Sequence, residues 1–195
     1  MTSYVRPQRA EVRTAVLAAA GDLFLRQGYR ATTLDAIAAA AGFTKGAVYS
    51  NFGGKPQLFA AAVTATFVER STTAISAVAT LRGEPADIAR QLTAVVGRAT
   101  WSPVLSEFRA AAREDERVAT IYAELRGSYR DRLAEQLRGL AGTLGLPDDY
   151  DYEAAAVLII TVINGLAEER ATTPGALPDD RIEMIMSRLV GGLLP

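Results

Sequence analysis

The sequence predicts an all-α protein of about nine helices, on three observations. Ala, Leu, Arg and Glu, which favour helices, dominate the 195 residues. Apolar residues recur at helical spacing in almost every segment, and no segment alternates apolar and polar residues as a half-buried strand would. Hydrophobic residues make up 49% of the chain, which argues against disorder as its main state, and 195 residues are enough to bury a sizeable core.

The first helices follow from apolar spacing and from their end signals. A helix is expected from about Gln8 to Gln27, with Gly28 at the position of a C′ glycine. One face of this helix would be formed by Val12, Val16, Leu17, Ala20, Leu23 and Phe24. Two short helices follow, separated by Ala41-Gly42-Phe43. A longer helix begins at Pro56, which suits a first turn, and should continue toward Leu81.

The remaining helices are separated by breaks rich in proline and glycine. We expect a break at Arg82–Pro85, followed by a helix over Asp87–Thr100 and a second helix that starts at Pro103. A long helix is expected over Arg113–Leu140, with its beginning near Asp115. The last two helices should extend from Tyr152 to about Ala171 and over Arg181–Leu194. The segments GTLGLPDDYD and TTPGALPDD are predicted loops.

Composition excludes several kinds of site. The chain has no cysteine and no histidine, which excludes thiol chemistry, thiolate and imidazole metal sites, and histidine acid–base catalysis. We therefore expect no catalytic residue, no cofactor and no metal. The N-terminus lacks the apolar core of a signal peptide, and the longest apolar-rich stretch, Ala154–Ala167, is shorter than the ~20 residues that span a bilayer. A soluble, cytoplasmic protein without membrane contact is expected.

Charge is distributed unevenly along the chain. The net charge is −1, but the first sixty residues carry +4 and the remaining residues carry −5. The chain has nineteen arginines and two lysines, Lys45 and Lys55, and both lysines lie in the basic segment. This distribution predicts a polyanion-binding module joined to a module of another kind.

The segment that contains the two lysines has the spacing of a DNA-binding helix-turn-helix. Thr33 can cap the first short helix and Thr44 the second, while Gly42 supplies the positive φ that the turn requires. The second helix would expose a set of long polar and small residues suited to phosphates and bases: Lys45, Gly46, Ala47, Tyr49 and Asn51.

Positive charge also flanks this motif on both sides. The segment Gly53-Gly54-Lys55-Pro56 opens a helix whose N-terminal amides favour a phosphate, and Lys55 adds a full charge. Three arginines of the N-terminal arm would either reach the minor groove or form a soluble tail: Arg6, Arg9 and Arg13.

Residues 28–59, GYRATTLDAIAAAAGFTKGAVYSNFGGKPQLF, resemble the N-terminal signature of the tetracycline-repressor (TetR) family of bacterial regulators. The shared features, in order, are the Gly-x-x-x-Thr-Thr opening, the Ile-Ala pair, Ala-Gly before the second helix, Lys-Gly, Tyr and the Phe-x-x-Lys ending. With the preceding helix, the resemblance covers about a third of the chain. Asn51 departs from the pattern, since many members have histidine there, but asparagine keeps a donor and an acceptor.

The resemblance implies a homodimer with a three-helix DNA-binding head at residues 1–55 and a helical ligand-binding and dimerisation body at residues 56–195. A small-molecule effector bound in the body would release a pseudo-palindromic operator in double-stranded DNA, as a repressor does. Phosphates would be held by Thr33, Tyr49, Asn51 and Lys55, bases would face Thr44, Lys45, Gly46 and Ala47, and the arm would add Arg6 and Arg9.

The resemblance also implies two regions of the body. The family's ligand cavity lies among helices whose large or polar side chains are Trp101, Phe108, Arg109, Tyr122, Tyr129 and Asn164, and each of these also fits a core or surface position. The last two apolar helices would form a four-helix dimer interface, although their stripes also suit an intrachain core. The interface residues would be Leu158, Val162, Leu166, Ile185, Leu189 and Leu193.

Two other functions remain compatible with the sequence. The chain could be a small-molecule-binding protein or an enzyme with a vestigial DNA-binding head, although no spacing of candidate catalytic residues stands out. It could also be a dimeric scaffold, which would have no cavity and no effect of a ligand on DNA binding.

Overall fold

The computed structural model describes residues 8–66, 85–97, 100–173 and 175–193. All regular secondary structure within these ranges is helical, which confirms the predicted all-α fold. Arg6, the predicted helix beyond residue 66 toward Leu81 and most of the predicted break at Arg82–Pro85 lie outside the described residues.

Three helices at the N-terminus pack against one another. Helix α1 (Arg9–Ala31) is interrupted at Gly28, where φ is 82° and ψ is 171°. This interruption agrees with the predicted end at Gln27, and a further turn leads into α2 (Leu34–Ala41) and α3 (Lys45–Phe52).

Seven further helices lie in the described part of the chain. Helix α4 begins at residue 55 and is described to residue 66, α5 spans Pro85–Gly97, α6 Ser102–Ala112, α7 Glu116–Gly139, α8 Ala141–Leu144, α9 Tyr152–Thr172 and α10 Asp179–Leu193. Pro103 lies in the first turn of α6, as predicted. The Asp115 carboxylate accepts hydrogen bonds from the amides of Arg117 and Val118, at 2.8 and 3.2 Å, and thereby starts α7 where expected.

The short helix α8 was not predicted. It lies where the long helix was expected to give way to a loop, and it ends at Gly145, whose φ of 65° closes the turn. A four-residue helix has too few residues to show an apolar period in the sequence, so the pattern could not indicate it.

The chain packs as two compact units. The first unit consists of the described parts of Met1–Ala65 and Val104–Ala123, and the second of those of Thr66–Pro103 and Glu124–Pro195. Helices α1 to α3 therefore share a unit with most of α6 and the start of α7. The predicted division after residue 55, into a DNA-binding head and a body, is a functional boundary and stays a prediction.

An aromatic cluster forms the core of the first unit. Phe24, Phe59 and Phe108 are fully buried, and Tyr29 is 6% exposed. The ring centroids lie 5.0 Å apart for Phe24 and Phe59, 4.5 Å for Phe59 and Phe108, and 4.8 Å for Tyr29 and Phe108. Because aromatic pairs at such separations attract each other beyond the effect of burial, this cluster ties α1, α4 and α6 together.

The core of the second unit lies among α5, α9 and α10. Helix α5 packs against both of the other two, and Ile182 and Met186 of α10 are fully buried in this core. A smaller cluster of Ala134, Tyr152 and Ala156 joins α7 to α9. No helix among the described residues is long and apolar enough to cross a membrane.

Candidate nucleic-acid interface

Threonines cap both helices of the predicted helix-turn-helix. Thr33 Oγ1 accepts a hydrogen bond from the Ala36 amide at 3.1 Å, and Thr44 Oγ1 accepts one from the Ala47 amide at 3.2 Å. Each cap binds an amide in the first turn of its helix, and such a cap typically contributes about 1 kcal/mol. The two predicted caps are confirmed, and both threonines are exposed.

The turn between α2 and α3 depends on Gly42. Its φ of 74° lies in the left-handed region, and the Phe43 amide donates to the Ala38 carbonyl at 2.9 Å. Behind the turn, Ile37 of α2 and Val48 of α3 are fully buried. These contacts set the direction in which α3 leaves the turn.

One face of α3 is exposed and the opposite face is buried. The exposed residues are Lys45, Gly46, Tyr49 and Ser50, and Ala47 and Asn51 are half-buried. Tyr49 is 51% exposed, which leaves its phenol accessible to solvent. A Cβ on Gly46 would have Thr44 Oγ1, 3.9 Å away, as its nearest neighbour, so the surface at the start of α3 is open. The face combines long polar side chains with room for the close approach of a backbone.

Lys45, the first residue of α3, is paired with Asp35 of α2. The distance between Lys45 Nζ and Asp35 Oδ2 is 2.8 Å, and both side chains are more than half exposed. The hydrogen bond to Asp35, together with the charge of that carboxylate, raises the pKa of the Lys45 ammonium. Lys45 therefore stays charged and has an acceptor within the protein.

The C-terminal end of α3 is attached to α1 by two arginines. Arg9 Nε donates to Asn51 Oδ1 at 3.4 Å, and Arg13 donates to the Asn51 carbonyl at 3.3 Å. The Arg13 guanidinium also lies 4.6 Å from the centroid of the Phe52 ring. Asn51 Nδ2 donates to the Ala47 carbonyl at 2.8 Å. The positive charges of Arg9 and Arg13 therefore both lie at this end of the exposed face.

Lys55, at the start of α4, contacts the end of α1. Its ammonium donates to the Arg30 carbonyl at 3.1 Å and lies 4.5 Å from the centroid of the Tyr29 ring. Burial lowers the pKa of Lys55, and the charge of Glu107 opposes this effect. An ammonium has three N–H donors, so the bond to the carbonyl leaves donors that can reach a phosphate.

Two carboxylates hold the turn at Gly28–Arg30. Glu107 of α6 accepts a hydrogen bond from the Arg30 amide at 3.0 Å, and the Arg30 guanidinium pairs with Glu114 at 2.8 Å. A Cβ on Gly28 would lie 2.8 Å from Glu107 Oε2 and 3.0 Å from its Cδ. The turn that precedes α2 therefore depends on both a glycine and a carboxylate.

The six predicted ligand-binding residues are divided between the two units. The first unit contains Phe108, Arg109 and Tyr122, and the second contains Trp101, Tyr129 and Asn164. Phe108 is part of the aromatic core described above, Trp101 and Tyr129 are buried, Tyr122 and Asn164 are half-buried, and Arg109 is exposed. The Ser102 hydroxyl donates to Asn164 Oδ1 at 3.4 Å, and burial raises the pKa of Tyr129. Their roles toward a ligand stay predictions.

The predicted dimer residues lie on α9 and α10 with different exposures. Leu158 is 43% exposed, whereas the other five are half-buried: Val162, Leu166, Ile185, Leu189 and Leu193. Val162, Leu166 and Leu189 pack against the core of the second unit. Val157 and Met184, which are not among the predicted interface residues, are 48% and 51% exposed. Because Ala154, Val157, Leu158, Thr161 and Gly165 lie on one side of α9, an apolar stripe on that helix faces outward.

Sequence reasoning missed Asp35 and treated Arg13 only as part of the arm. Arg13 could have been found, because it follows Arg9 by four residues and so shares a helix face with it. No local spacing relates Asp35 to Lys45, since their contact depends on the angle between α2 and α3.

Two family models match the chain. Residues 16–62 match the model described as bacterial regulatory proteins of the tetR family. Residues 88–195, which are more than half of the chain, match the model described as the C-terminal region of BetI-type transcriptional repressors. The first match includes all of α2 and α3.

The similarity to known sequences and structures extends over nearly the whole chain. An uncharacterized HTH-type transcriptional regulator of Mycobacterium tuberculosis strain H37Rv is 25% identical over 189 residues, which is 95% of this chain and 96% of the relative. Salmonella enterica GusR has a TM-score of 0.67 at 19% identity and covers 99% of each chain. A TetR transcription regulator of Haloarcula marismortui has a TM-score of 0.66 at 18% identity, over 95% of this chain and 100% of its own. The structural similarities show a shared fold.

Proposed function

The chain belongs to the TetR family of bacterial transcriptional regulators, and we propose that it is a ligand-responsive repressor that binds a pseudo-palindromic DNA operator as a homodimer. The protein would act in the cytoplasm, without a catalytic activity of its own. Its sequence-specific element would be α3, placed in the major groove.

The observation that carries this proposal is the exposed face of α3 between two fixed ends. Thr44 caps the N-terminal end, and Arg13 binds the carbonyl at the C-terminal end. A helix that is held at both ends and exposes a lysine, a tyrosine and small residues is suited to enter a groove in a defined orientation. The family membership supports the same role for this helix.

The contacts divide into those to phosphates and those to bases. We propose that Thr33, Tyr49, Asn51 and Lys55 bind phosphates, because they lie at the helix ends or carry an exposed hydroxyl or cation. Residues at the start of α3 would face the bases: Thr44, Lys45, Gly46 and Ala47. Arg9 would add a phosphate or minor-groove contact beside Asn51, to which it donates a hydrogen bond, and Arg6 of the arm would contribute likewise.

The outward apolar stripe of α9, together with Met184 of α10, supports a two-fold interface with a second copy of the chain. In such a homodimer, the two copies of α3 would bind half-sites about one turn of DNA apart, or slightly more. An effector bound in the body would favour a different separation of the two copies and weaken DNA binding, through a coupling of typically ~1–3 kcal/mol. Trp101, Phe108, Arg109, Tyr122, Tyr129 and Asn164 remain the candidates for contacting the effector.

Selection of duplexes from a random-sequence DNA library with the full-length protein tests the proposal. We expect enrichment of a pseudo-palindromic sequence and binding of that duplex at least ~10³-fold more tightly than of a shuffled duplex. Weak binding without enrichment would favour a helical binding protein or an enzyme with a vestigial head. A thermal-shift screen of small apolar compounds, followed by titration of the complex with those that bind, tests the effector.

The salt dependence of binding tests Lys55. Loss of one phosphate contact should reduce the slope of log K against log salt by about 0.9, on the selected and the shuffled duplex alike. Lys55→Gln keeps a donor for the Arg30 carbonyl, so its comparison with Lys55→Ala separates the loss of charge from the loss of this internal bond. Arg132→Ala, which removes an exposed cation from α7, is the matched control. An unchanged slope in both Lys55 variants would remove this residue from the phosphate contacts.

A further inference from the structure

Asp35 places its carboxylate beside Lys45, the first residue of α3. Its Oδ2 lies 2.8 Å from Lys45 Nζ, and 67% of the Asp35 side chain and 53% of the Lys45 side chain are exposed. A carboxylate at a surface that binds DNA repels phosphates of every sequence, so its presence there needs an explanation. In the fold, Asp35 lies in the first turn of α2, where a carboxylate interacts favourably with the positive end of the helix dipole. Its pairing with Lys45 adds little stability, because both side chains are exposed, so the pairing itself calls for another role.

We propose that Asp35 determines the sequence selectivity of DNA binding by holding the Lys45 ammonium in a neutral pair that still reads bases. The proposal rests on the proposed function of α3. One of the three N–H donors of the ammonium is directed to Asp35, which leaves two for acceptors on DNA. Guanine presents two acceptors, O6 and N7, side by side in the major groove. The pair can therefore recognise guanine without releasing Asp35.

The same pair changes how Lys45 acts on arbitrary DNA. A free lysine gains affinity for any sequence by neutralising a phosphate and releasing counterions. A lysine bound to a carboxylate brings no net charge to the phosphates, so it gains little on a duplex that offers no suitable base. Asp35 would thus lower binding to non-operator DNA more than binding to the operator. The hydrogen bond to Asp35 raises the pKa of Lys45, so the ammonium stays charged near neutral pH.

The test compares wild-type protein with Asp35→Asn on two duplexes, the one selected from the random library by the wild type and a shuffled one. We expect Asp35→Asn to bind the shuffled duplex about fivefold more tightly at ~0.15 M salt, with a salt slope steeper by about 0.9, since one lysine charge becomes available. Binding to the selected duplex should change less than twofold, so the ratio of the two affinities should fall severalfold.

Two controls separate selectivity from general repulsion. Asp22→Asn also removes an exposed, paired aspartate, because Asp22 pairs with Arg26 on α1, and it should leave the affinity ratio unchanged. In a Lys45→Gln background, Asp35→Asn should no longer change the ratio. Circular dichroism checks that each variant is folded, and Asp35→Ser replaces Asp35→Asn if the latter does not fold.

Two results would overturn the inference: an unchanged ratio of the two affinities in Asp35→Asn, even if both affinities rise equally, or the same change of the ratio in Asp22→Asn. Failure of the wild type to select any sequence would overturn the proposed function, and the role of Asp35 with it. Selection of a sequence followed by an unchanged ratio in Asp35→Asn would remove only the role of Asp35.

Discussion

Replacement of Gly28 by alanine is expected to destabilise the protein by about 3 kcal/mol. Gly28 has φ 82° and ψ 171°, a conformation that is essentially restricted to glycine and that costs other residues about 1–3 kcal/mol. The added Cβ would also lie 2.8 Å from Glu107 Oε2 and 3.0 Å from Glu107 Cδ. The substitution therefore strains the backbone and displaces the carboxylate at the end of the Glu107 side chain.

Glu107 cannot move away without a further loss. Its carboxylate accepts a hydrogen bond from the Arg30 amide at 3.0 Å, and bonds to a charged acceptor contribute about 1.5–3 kcal/mol when well buried. Because Glu107 is only half-buried, we take about 1 kcal/mol for this bond. With about 2 kcal/mol of backbone strain, the total is about 3 kcal/mol.

Urea denaturation followed by circular dichroism measures this loss, with all proteins at the same protomer concentration because assembly would shift apparent stability. In a thermal melt of the same samples, a loss of about 3 kcal/mol in a chain of this length corresponds to a decrease in Tm of about 6–12 °C. Gly127→Ala in α7 is the matched control, because a Cβ at Gly127 has no neighbouring atom within 4 Å. This control should be as stable as the wild type, or more stable by up to about 1 kcal/mol.

The double variant Gly28→Ala, Glu107→Ala separates the two contributions. If alanine at position 28 displaces Glu107, the bond to Arg30 is already lost in each single variant, and the double variant should lose about 1 kcal/mol less than the sum of the singles. A loss below about 1 kcal/mol in Gly28→Ala would refute the backbone argument. Strict additivity would refute the argument from the collision.

Three further predictions concern the first unit. Burial raises the pKa of Tyr29 to about 12, so the protonated phenol contributes fully to stability below pH ~10. This contribution is at most about 2.7 kcal/mol, and it is lost as the pH rises toward 12. Tyr29→Phe should therefore reduce the fall in unfolding free energy at alkaline pH, which is measured by urea titration at increasing pH. Arg13→Ala should cost about 1 kcal/mol, because it removes the bond to the Asn51 carbonyl and the contact with Phe52, and an unchanged urea midpoint would contradict this. Thr44→Ala should cost about 1 kcal/mol through loss of the cap, whereas Thr44→Ser should cost much less, and equal losses would exclude the capping argument.

The helix-turn-helix was predictable because its determinants are local in sequence. A threonine cap acts on an amide three residues later, and Gly42 determines the turn through its own φ. The apolar spacing of α1 and the start of α7 near Asp115 are likewise read from neighbouring residues. The fold class followed for the same reason, since helices are the elements whose signals lie closest together along the chain.

The long-range contacts that hold residues of the candidate site in position could not be predicted from the sequence. Glu107 reaches Arg30 across 77 positions, and Lys55 reaches the Arg30 carbonyl across 25. Such contacts depend on how α1, α4 and α6 pack, and the apolar spacing does not determine this. In the second unit, apolar stripes on α9 and α10 are compatible with both a core and an interface, so exposure of Val157 and Met184 became apparent only in the structure.

The two lysines of the chain each have an acceptor within the first unit, and this bears on how the protein could bind DNA. Lys45 is bound to Asp35, and Lys55 is bound to the Arg30 carbonyl beside the Tyr29 ring. Immobilising a lysine side chain costs up to about 2 kcal/mol of conformational entropy. A lysine that is already positioned by folding has lost part of that freedom before DNA arrives, so less of the binding free energy is spent on ordering it. A compact ammonium can keep its internal acceptor and still offer two donors, whereas the planar guanidinium of arginine presents its donors in a fixed fork. Lysine at these two positions thus combines a preset orientation with donors left free for the proposed contacts to phosphates and bases.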